Sequence, residues 1–199
     1  MNPEQIFAGV EITTGRKPFT LAALDNDFGV SVLEKCDASG VLARLTQYKE
    51  VMLAINTRPE RPGQRTNAAF KKKIAQAGFV PYLKKSALRQ WVDANSRDCF
   101  HGLAGRAPLP RRTFEGRIQR ALILFEQGLR INDPMDFFEE ITRYHVLMGV
   151  FPKDFLYSAS ELDALVAAYA AWATLKQPVL VDVGGDKNDE IRIVLKART

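Results

Sequence analysis

Asp163 is the carboxylate in this sequence whose surroundings most suggest a chemical role. Ser158 and Glu161 have the spacing of a capping box, so the sequence predicts a helix from about Ser158 to Trp172. One face of that helix is an apolar stripe, formed by Leu162, Leu165, Val166, Tyr169 and Trp172. A second face consists of small residues, Ala167, Ala170, Ala171 and Thr174, and Asp163 stands at its head.

Small residues let a helix approach a sheet closely, so this helix should carry Asp163 toward the protein interior. A buried carboxylate must be paired, hydrogen-bonded or bound to a metal. The alternative is an exposed acid in the first helical turn, where the helix dipole favours negative charge.

The middle of the chain is strongly basic. From Arg58 to Arg130 there are 16 Lys and Arg against five Asp and Glu, a balance of +11, so the rest of a chain of net charge +5 carries −6. A basic segment on an acidic frame indicates a polyanionic partner. The alternative is a set of solvated helical faces, since short lysine runs are common on protein surfaces.

The composition is that of an ordinary soluble globular protein of 199 residues, 46% hydrophobic and 26% charged. No run of about 18 apolar residues predicts a transmembrane helix, and no secretory signal is visible. Two cysteines, Cys36 and Cys99, form no disulfide framework and favour a reduced, cytoplasmic setting. Two histidines are too few and too scattered to indicate a zinc site.

The first part of the chain predicts three strands joined by short turns, at 5–13, 19–24 and 28–33, which together form an antiparallel meander. Asp37 can cap a helix that runs to about Gln47. The apolar run 51–55 that follows predicts a strand buried on both faces, as in a parallel sheet, ending at Asn56. The loop 57–66 then adds three arginines at the carboxyl end of that strand, the usual binding edge of an α/β sheet.

The remainder predicts a basic helical insertion, at about 66–131, within one domain spanning 1–199. Its helices are expected at 67–77, 86–103 and 112–130. Residues 136–143 predict a strand with Phe138, Glu140 and Thr142 on one face. A short strand at 178–181, a glycine-rich turn at 182–188 and an edge strand at 190–195 complete the chain.

This order of elements resembles the ribonuclease-H-like fold, and most closely a family of predicted ribonuclease-H-like nucleases. The resemblance lies in Gly9-Val-Glu11-Ile, in Leu53-Ala-Ile55-Asn56 followed by Arg61-Pro-Gly, in Phe138-Glu-Glu140-Ile-Thr, and in Ser160-Glu-Leu-Asp163-Ala-Leu-Val-Ala-Ala-Tyr. Together these stretches span most of the chain, and the last is the most specific. The implied fold is α/β, a mixed sheet of three antiparallel and then parallel strands with helices on both faces.

The resemblance implies a set of acidic residues that meet at one sheet edge and hold Mg²⁺ or Mn²⁺ for two-metal phosphodiester chemistry. Carried over by position, Glu11, Glu140 and Asp163 are the metal ligands and catalytic residues, with Glu139 an alternative to Glu140. Asn56 stands where the family has an aspartate, and Glu11 replaces a shorter acid. Glu11 could also be an exposed strand acid, and Asn56 a cap for the next loop.

The leading expectation is therefore a metal-dependent nuclease that acts on nucleic-acid phosphodiesters. Phosphate contacts are expected from basic residues of the middle segment: Arg58, Arg61, Arg65, Lys71, Lys72 and Lys73. The alternative is a catalytically degenerate relative that binds nucleic acid or a protein without cleavage, because Asn56 supplies no charge. A small-molecule phosphotransferase is weaker, since no phosphate loop is present. A thiol–imidazole pair of Cys99 and His101 is disfavoured by their spacing on a helix.

Overall fold

The computed structural model describes residues 5–13, 18–57, 66–82, 87–150, 155–185 and 191–196. The strands in these ranges are β1 (Gln5–Glu11), β2 (Phe19–Leu24), β3 (Val30–Cys36), β4 (Glu50–Asn56), β5 (Val80–Pro81), β6 (Arg89–Ala94), β7 (Val181–Gly185) and β8 (Ile191–Leu195). The α-helices are α1 (Ala38–Leu45), α2 (Thr66–Gln76), α3 (Ser96–Ala104), α4 (Phe114–Glu126), α5 (Glu140–Leu147) and α6 (Ala159–Lys176). None of the helices in these ranges is long and apolar enough to cross a membrane.

All eight described strands belong to one mixed sheet, in the order β3-β2-β1-β4-β6-β8-β7 with β5 beside β6. The predicted meander is confirmed, because β1 pairs antiparallel with β2 and β2 with β3. The buried strand is also confirmed: β4 runs parallel to β1, and β6 runs parallel to β4. The protein is therefore of the α/β class, with antiparallel pairs at both sides of the sheet and parallel pairs at its centre.

The predicted helix at 86–103 is wrong at its beginning. Residues Arg89–Ala94 form β6, and α3 starts only after Asn95, whose side-chain oxygen accepts hydrogen bonds from two amides of the first helical turn. The cause is tertiary pairing, since β6 lies between β4 and β8 and its centre is buried on both faces. The segment 66–131 is consequently not a purely helical insertion, although its helices α2 and α4 lie where they are expected.

The predicted strand at 136–143 is also wrong. Asp133 accepts a hydrogen bond from the Met135 amide and begins a 3₁₀ helix at Pro134–Phe138, and α5 follows at once. Proline is well suited to the first position of a helix, so the Asp133-Pro134 pair outweighs the alternation of apolar and polar residues. Near the carboxyl end, Pro178–Leu180 is a 3₁₀ helix rather than a strand. The expected turn at 182–188 begins inside β7, and residues 186–190 lie outside the described ranges.

The helix that carries Asp163 is the centre of the larger core. The predicted capping box is present, with Ser158 and Glu161 bonded to each other's backbone amides. Every residue from Leu162 to Thr174 is buried, because α6 packs on β1, β2 and β4 with one side and on α3 and α4 with the other. A smaller core on the opposite face of the sheet contains residues of α1 and α2.

Gly9 sets how closely α6 approaches the sheet. A Cβ atom at this position would lie 2.9 Å from the carbonyl carbon of Ala167, and closer still to backbone atoms of Ala164 and Ala168. The backbone of α6 therefore lies directly against β1. This contact brings the first turn of α6 to the carboxyl ends of the central strands, which is where the candidate site lies.

Candidate functional site

Three of the four expected site residues lie at the carboxyl edge of the central strands. Glu11 is the last residue of β1 and Asn56 the last residue of β4, and the two are paired in register. Asp163 reaches the same edge from the beginning of α6, through its contact with Arg111 described below. Each of the three side chains is only about 1% exposed. The alternative of solvent-exposed acids is therefore wrong for Glu11 and for Asp163.

Asn56 is held by hydrogen bonds on both sides of its amide group. Its Oδ1 accepts from the backbone N–H of Ser96 at 2.8 Å, and its Nδ2 donates to Glu11 Oε2 and, at 3.3 Å, to Ser96 Oγ. The side chain thus joins the end of β4 to the start of α3, and it presents an N–H group to the carboxylate of Glu11. Its carbonyl oxygen, the atom that could ligate a cation, is already engaged.

Arg111 belongs to the site although no sequence pattern predicts it. Its Nη1 lies 3.0 Å from Asp163 Oδ2 and 3.7 Å from Glu11 Oε1, so one guanidinium contacts both buried carboxylates. The side chain is 26% exposed and comes from the segment between α3 and α4. No motif singles Arg111 out in the sequence, because it is one of many basic residues in the middle segment and lies about 50 residues from Asp163.

The local fold fixes the segment that carries Arg111. The amide of Leu109 donates to Gln119 Oε1 at 2.7 Å, and the carbonyl of Leu109 accepts from Arg120 Nη1 at 2.8 Å. Thr113 then caps α4 through a hydrogen bond from the Gly116 amide. Two side chains of α4 thus hold the chain at Leu109, and the cap holds it at Thr113, so Arg111 is positioned from both sides.

Glu140 does not lie on a sheet strand, as the resemblance requires. It is the first residue of α5 and is exposed, as is its neighbour Glu139. The expected third acidic ligand is therefore presented to solvent on a helix. The physical reason is the helical start at Pro134, which removes this segment from the sheet.

The basic residues expected to contact phosphate have different surroundings. Lys71 pairs with Asp93 at 2.8 Å, lies 5.1 Å from the centre of the Trp91 ring and is only 14% exposed, so its charge is already engaged between α2 and β6. Lys72 and Lys73 are exposed on α2. Arg58, Arg61 and Arg65 lie outside the described residues.

A cleft of about 780 Å³ opens beside the buried carboxylates. Its walls come from the start of α3, from the segment before α4, and from α4, α6 and β8, and they contain four arginines and two aspartates: Arg97, Arg111, Arg120, Arg192, Asp98 and Asp163. Arg192 pairs with Asp98 at 3.3 Å, and Arg111 pairs with Glu11 and Asp163. With Glu11 included, the four arginines face three carboxylates, so the described side chains around the cleft have an excess of one positive charge and suit an anion.

The side chains at this edge do not fit the two-metal site that the resemblance predicts. Two carboxylates meet there, and Arg111 already supplies one positive charge that contacts both of them. Asn56 turns N–H toward Glu11, which repels a cation. Within the ranges that the structure describes, no group of three or more His, Cys, Asp or Glu side chains has a metal-binding arrangement.

The geometry also argues against a thiol–imidazole pair of Cys99 and His101. Cys99 is fully buried, and desolvation raises the pKa of its thiol to about 12, so it carries no thiolate at neutral pH. His101 is exposed two residues further along α3. Comparison with known proteins does not add a relative: no family model, no curated protein and no solved structure matches this chain.

Proposed function

We propose that this chain is a ribonuclease-H-like protein that binds nucleic acid at the cleft beside Glu11 and Asp163 without metal-dependent cleavage. The observation that carries the proposal is the position of Arg111 between the two carboxylates, with Nη1 at 3.0 Å from Asp163 and 3.7 Å from Glu11. A cationic side chain of the protein itself occupies the place where the resemblance predicts a metal ion.

The ribonuclease-H-like assignment is supported by where the candidate residues stand in the sheet. The order β3-β2-β1-β4-β6 begins with an antiparallel meander and continues with parallel strands. Glu11 ends the first strand, Asn56 ends the fourth, and Asp163 lies on the helix that packs across them. For these three residues the arrangement agrees with the one that the family resemblance implies, whereas Glu140 departs from it.

We expect no cleavage because a guanidinium cannot replace a metal ion in phosphodiester hydrolysis. A divalent cation lowers the pKa of a bound water and stabilises a leaving oxygen by coordinating it. Arg111 can contribute positive charge and donate hydrogen bonds to the carboxylates. Unlike a metal ion, it cannot coordinate a water molecule and lower the pKa of that water. Asn56 is neutral and stands where the family has an aspartate, so the site lacks the further negative charge that a second metal ion requires.

Nucleic acid is favoured as the partner by the distribution of charge. The segment 58–130 has a balance of +11, and its described part places exposed cations on α2, at the start of α3 and before α4: Lys72, Lys73, Arg97 and Arg112. Binding through several phosphate contacts should weaken steeply as salt concentration rises, because each contact releases counterions. A protein partner would not give this dependence on the number of phosphates.

The test combines metal titration with binding and cleavage assays. Calorimetric titration with Mg²⁺ or Mn²⁺ should give no binding heat, and single-stranded, duplex and hybrid substrates should be bound but not cut in either metal. The logarithm of the binding constant should fall linearly with the logarithm of salt concentration, with a slope proportional to the number of phosphates contacted. Metal-dependent cleavage that disappears in Asp163→Ala would contradict the proposal.

A metal-dependent nuclease is the second candidate, and one observation favours it. Glu11 and Asp163 converge on a single cation, so displacement of the Arg111 side chain would leave two carboxylates facing the same point. Under this alternative, wild-type protein binds Mn²⁺ and Arg111 moves away to admit it. Under our proposal, Mn²⁺ binding appears only in Arg111→Ala, while Arg112→Ala, which removes the neighbouring exposed arginine, behaves like wild type.

A further inference from the structure

Arg120 is a buried cation in the described part of the chain that the acidic edge does not account for. It lies on α4, is only 4% exposed and forms part of the cleft wall. Its Nη1 donates to the carbonyls of Leu109 and Gly116, at 2.8 and 2.9 Å, and its guanidinium lies 5.2 Å from the centre of the Phe100 ring. These contacts hold the side chain in place, but none of them supplies a negative charge.

No carboxylate of the described residues lies within ion-pair distance of Arg120. Its Nε is buried and has no acceptor in the same part of the chain. Burial lowers the pKa of this guanidinium from its ordinary value, and the charge of Asp163 acts in the opposite direction. Because an uncompensated buried charge is unfavourable, a guanidinium held beside a cleft in this way indicates an anionic ligand.

A second arginine of the cleft, Arg97, also contributes positive charge that no described carboxylate offsets. Arg111 and Arg192 have carboxylate partners, whereas Arg97 is exposed and has no ion pair within the described ranges. The first amides of α3 are already bonded to Asn95 Oδ1 and Asn56 Oδ1, so they do not compete for the ligand. The anion would therefore be held by arginine side chains. Arg120 is held in place by its hydrogen bonds to backbone carbonyls, and Arg97 is exposed at the start of α3.

We infer that Arg120 and Arg97 form a phosphate-binding subsite in the cleft next to the Glu11–Arg111–Asp163 cluster. The inference rests on the proposed nucleic-acid binding and specifies the group that is recognised. The planar guanidinium matches the geometry of phosphate oxygens, and the cleft volume of about 780 Å³ is large enough for a nucleotide. The phosphate belongs either to a free nucleotide or to a nucleic-acid strand, at its end or within it.

The experiment measures binding of five probes by calorimetry and by the rise in melting temperature. The probes are inorganic phosphate, a nucleoside 5′-monophosphate, a short single-stranded oligonucleotide with a 5′-phosphate, the same oligonucleotide with a 5′-hydroxyl, and succinate as a dicarboxylate control. Preference for the phosphorylated oligonucleotide assigns the subsite to a strand end, equal binding of both oligonucleotides assigns it to internal phosphates, and binding of the monophosphate alone assigns it to a free nucleotide. If succinate binds as tightly as the phosphate probes, or if no phosphate probe binds, the inference fails.

The variant that tests the residue is Arg120→Met, which keeps the length of the side chain without its charge. Loss of a charge-assisted contact should weaken phosphate binding by about 10- to 100-fold. The matched control is Arg106→Met, because Arg106 is exposed and lines a different cleft, and it should bind like wild type. Unchanged affinity in Arg120→Met would overturn the inference.

A second variant covers the case in which Arg120→Met does not fold. Arg120→Lys keeps the charge but loses the planar fork, so it should bind phosphate several-fold more weakly, and wild-type affinity in it would overturn the inference equally. The two proposals can fail separately. If Arg120→Met binds nucleic acid like wild type, the proposed function stands and the phosphate subsite is wrong. If the monophosphate binds in an Arg120-dependent way but no oligonucleotide binds, the subsite stands and the proposed nucleic-acid binding is wrong.

Discussion

Replacing Gly9 with alanine should destabilise the protein and disturb the site, although it adds only one methyl group. The new Cβ would lie 2.9 Å from the Ala167 carbonyl carbon, and ordinary contact begins at 3.4 Å. The helix must therefore move by at least 0.5 Å, and by more where the backbone of Ala164 and Ala168 is closer still. All three neighbours are backbone atoms, so no side chain can rotate away to relieve the contact.

The size of the effect follows from two opposing contributions. Overpacking of a close-packed core costs about 1–3 kcal/mol, and the upper end applies because backbone atoms must move. The Gly→Ala change also removes conformational freedom from the unfolded chain, which stabilises the folded protein by about 0.4–1 kcal/mol. The clash is the larger contribution, so we expect Gly9→Ala to lower the free energy of unfolding by about 2 kcal/mol, measured by urea denaturation.

Ala164→Gly provides the control for this explanation. It removes the side chain of Ala164 but leaves the carbonyl oxygen that the new Cβ meets. The double variant should therefore be at least as unstable as Gly9→Ala alone. Recovery of stability in the double variant, or a Gly9→Ala protein as stable as wild type, would refute the close backbone contact between β1 and α6.

Three further predictions concern the surrounding side chains. Asn56→Asp places a carboxylate beside the buried carboxylate of Glu11, so it should lower the free energy of unfolding at neutral pH by about 2 kcal/mol. The loss should be smaller near pH 5, where protonation of one acid relieves the repulsion. A loss of stability that does not depend on pH would argue against this explanation. Lys71→Met removes the ion pair that Lys71 makes with the buried Asp93 and should cost about 2–3 kcal/mol in denaturation experiments, whereas exposed Lys72→Met should change stability by less than about 0.5 kcal/mol. Cys99, with its buried thiol and a pKa of about 12, should react with a thiol reagent at pH 8 only after denaturation. Because Cys36 is only half-buried, the measurement uses Cys36→Ser protein, in which rapid labelling before denaturation would contradict the placement of Cys99.

The sequence predicts the elements whose signals are local. The meander, β4 and α6 were predicted correctly because short turns, an apolar run and a capping box each act over a few residues. β6 was predicted as part of a helix because its pairing with β4 and β8 depends on residues far away in the chain. The strand expected near Glu140 is wrong because the helix start at Asp133-Pro134 lies before the alternating residues 136–143 and outweighs them.

The candidate site could be predicted only in part, for the same reason. Glu11 and Asn56 come together because their strands are neighbours in the sheet, and Asp163 because α6 packs on those strands. Arg111 reaches the pair from the segment before α4, and nothing in its neighbourhood in the sequence distinguishes it from the adjacent Arg112. Burial distinguishes the two, since Arg112 is exposed and Arg111 is mostly enclosed.

A metal ion at an acidic edge has two separable effects: it neutralises the carboxylates that hold it, and it attracts a phosphate. Our proposals divide these effects between two arginines, Arg111 for the carboxylates and Arg120 for the phosphate. The variants should therefore differ in kind. Arg111→Met should lower stability by about 3 kcal/mol, because it removes a cation that contacts two buried carboxylates. Arg120→Met should lower phosphate affinity by about 10- to 100-fold, and its loss of stability should be smaller, about 1 kcal/mol, since it removes the hydrogen bonds to the Leu109 and Gly116 carbonyls together with a buried charge. If both variants lose stability and affinity in the same proportion, the two arginines act as one structural unit and the division is wrong.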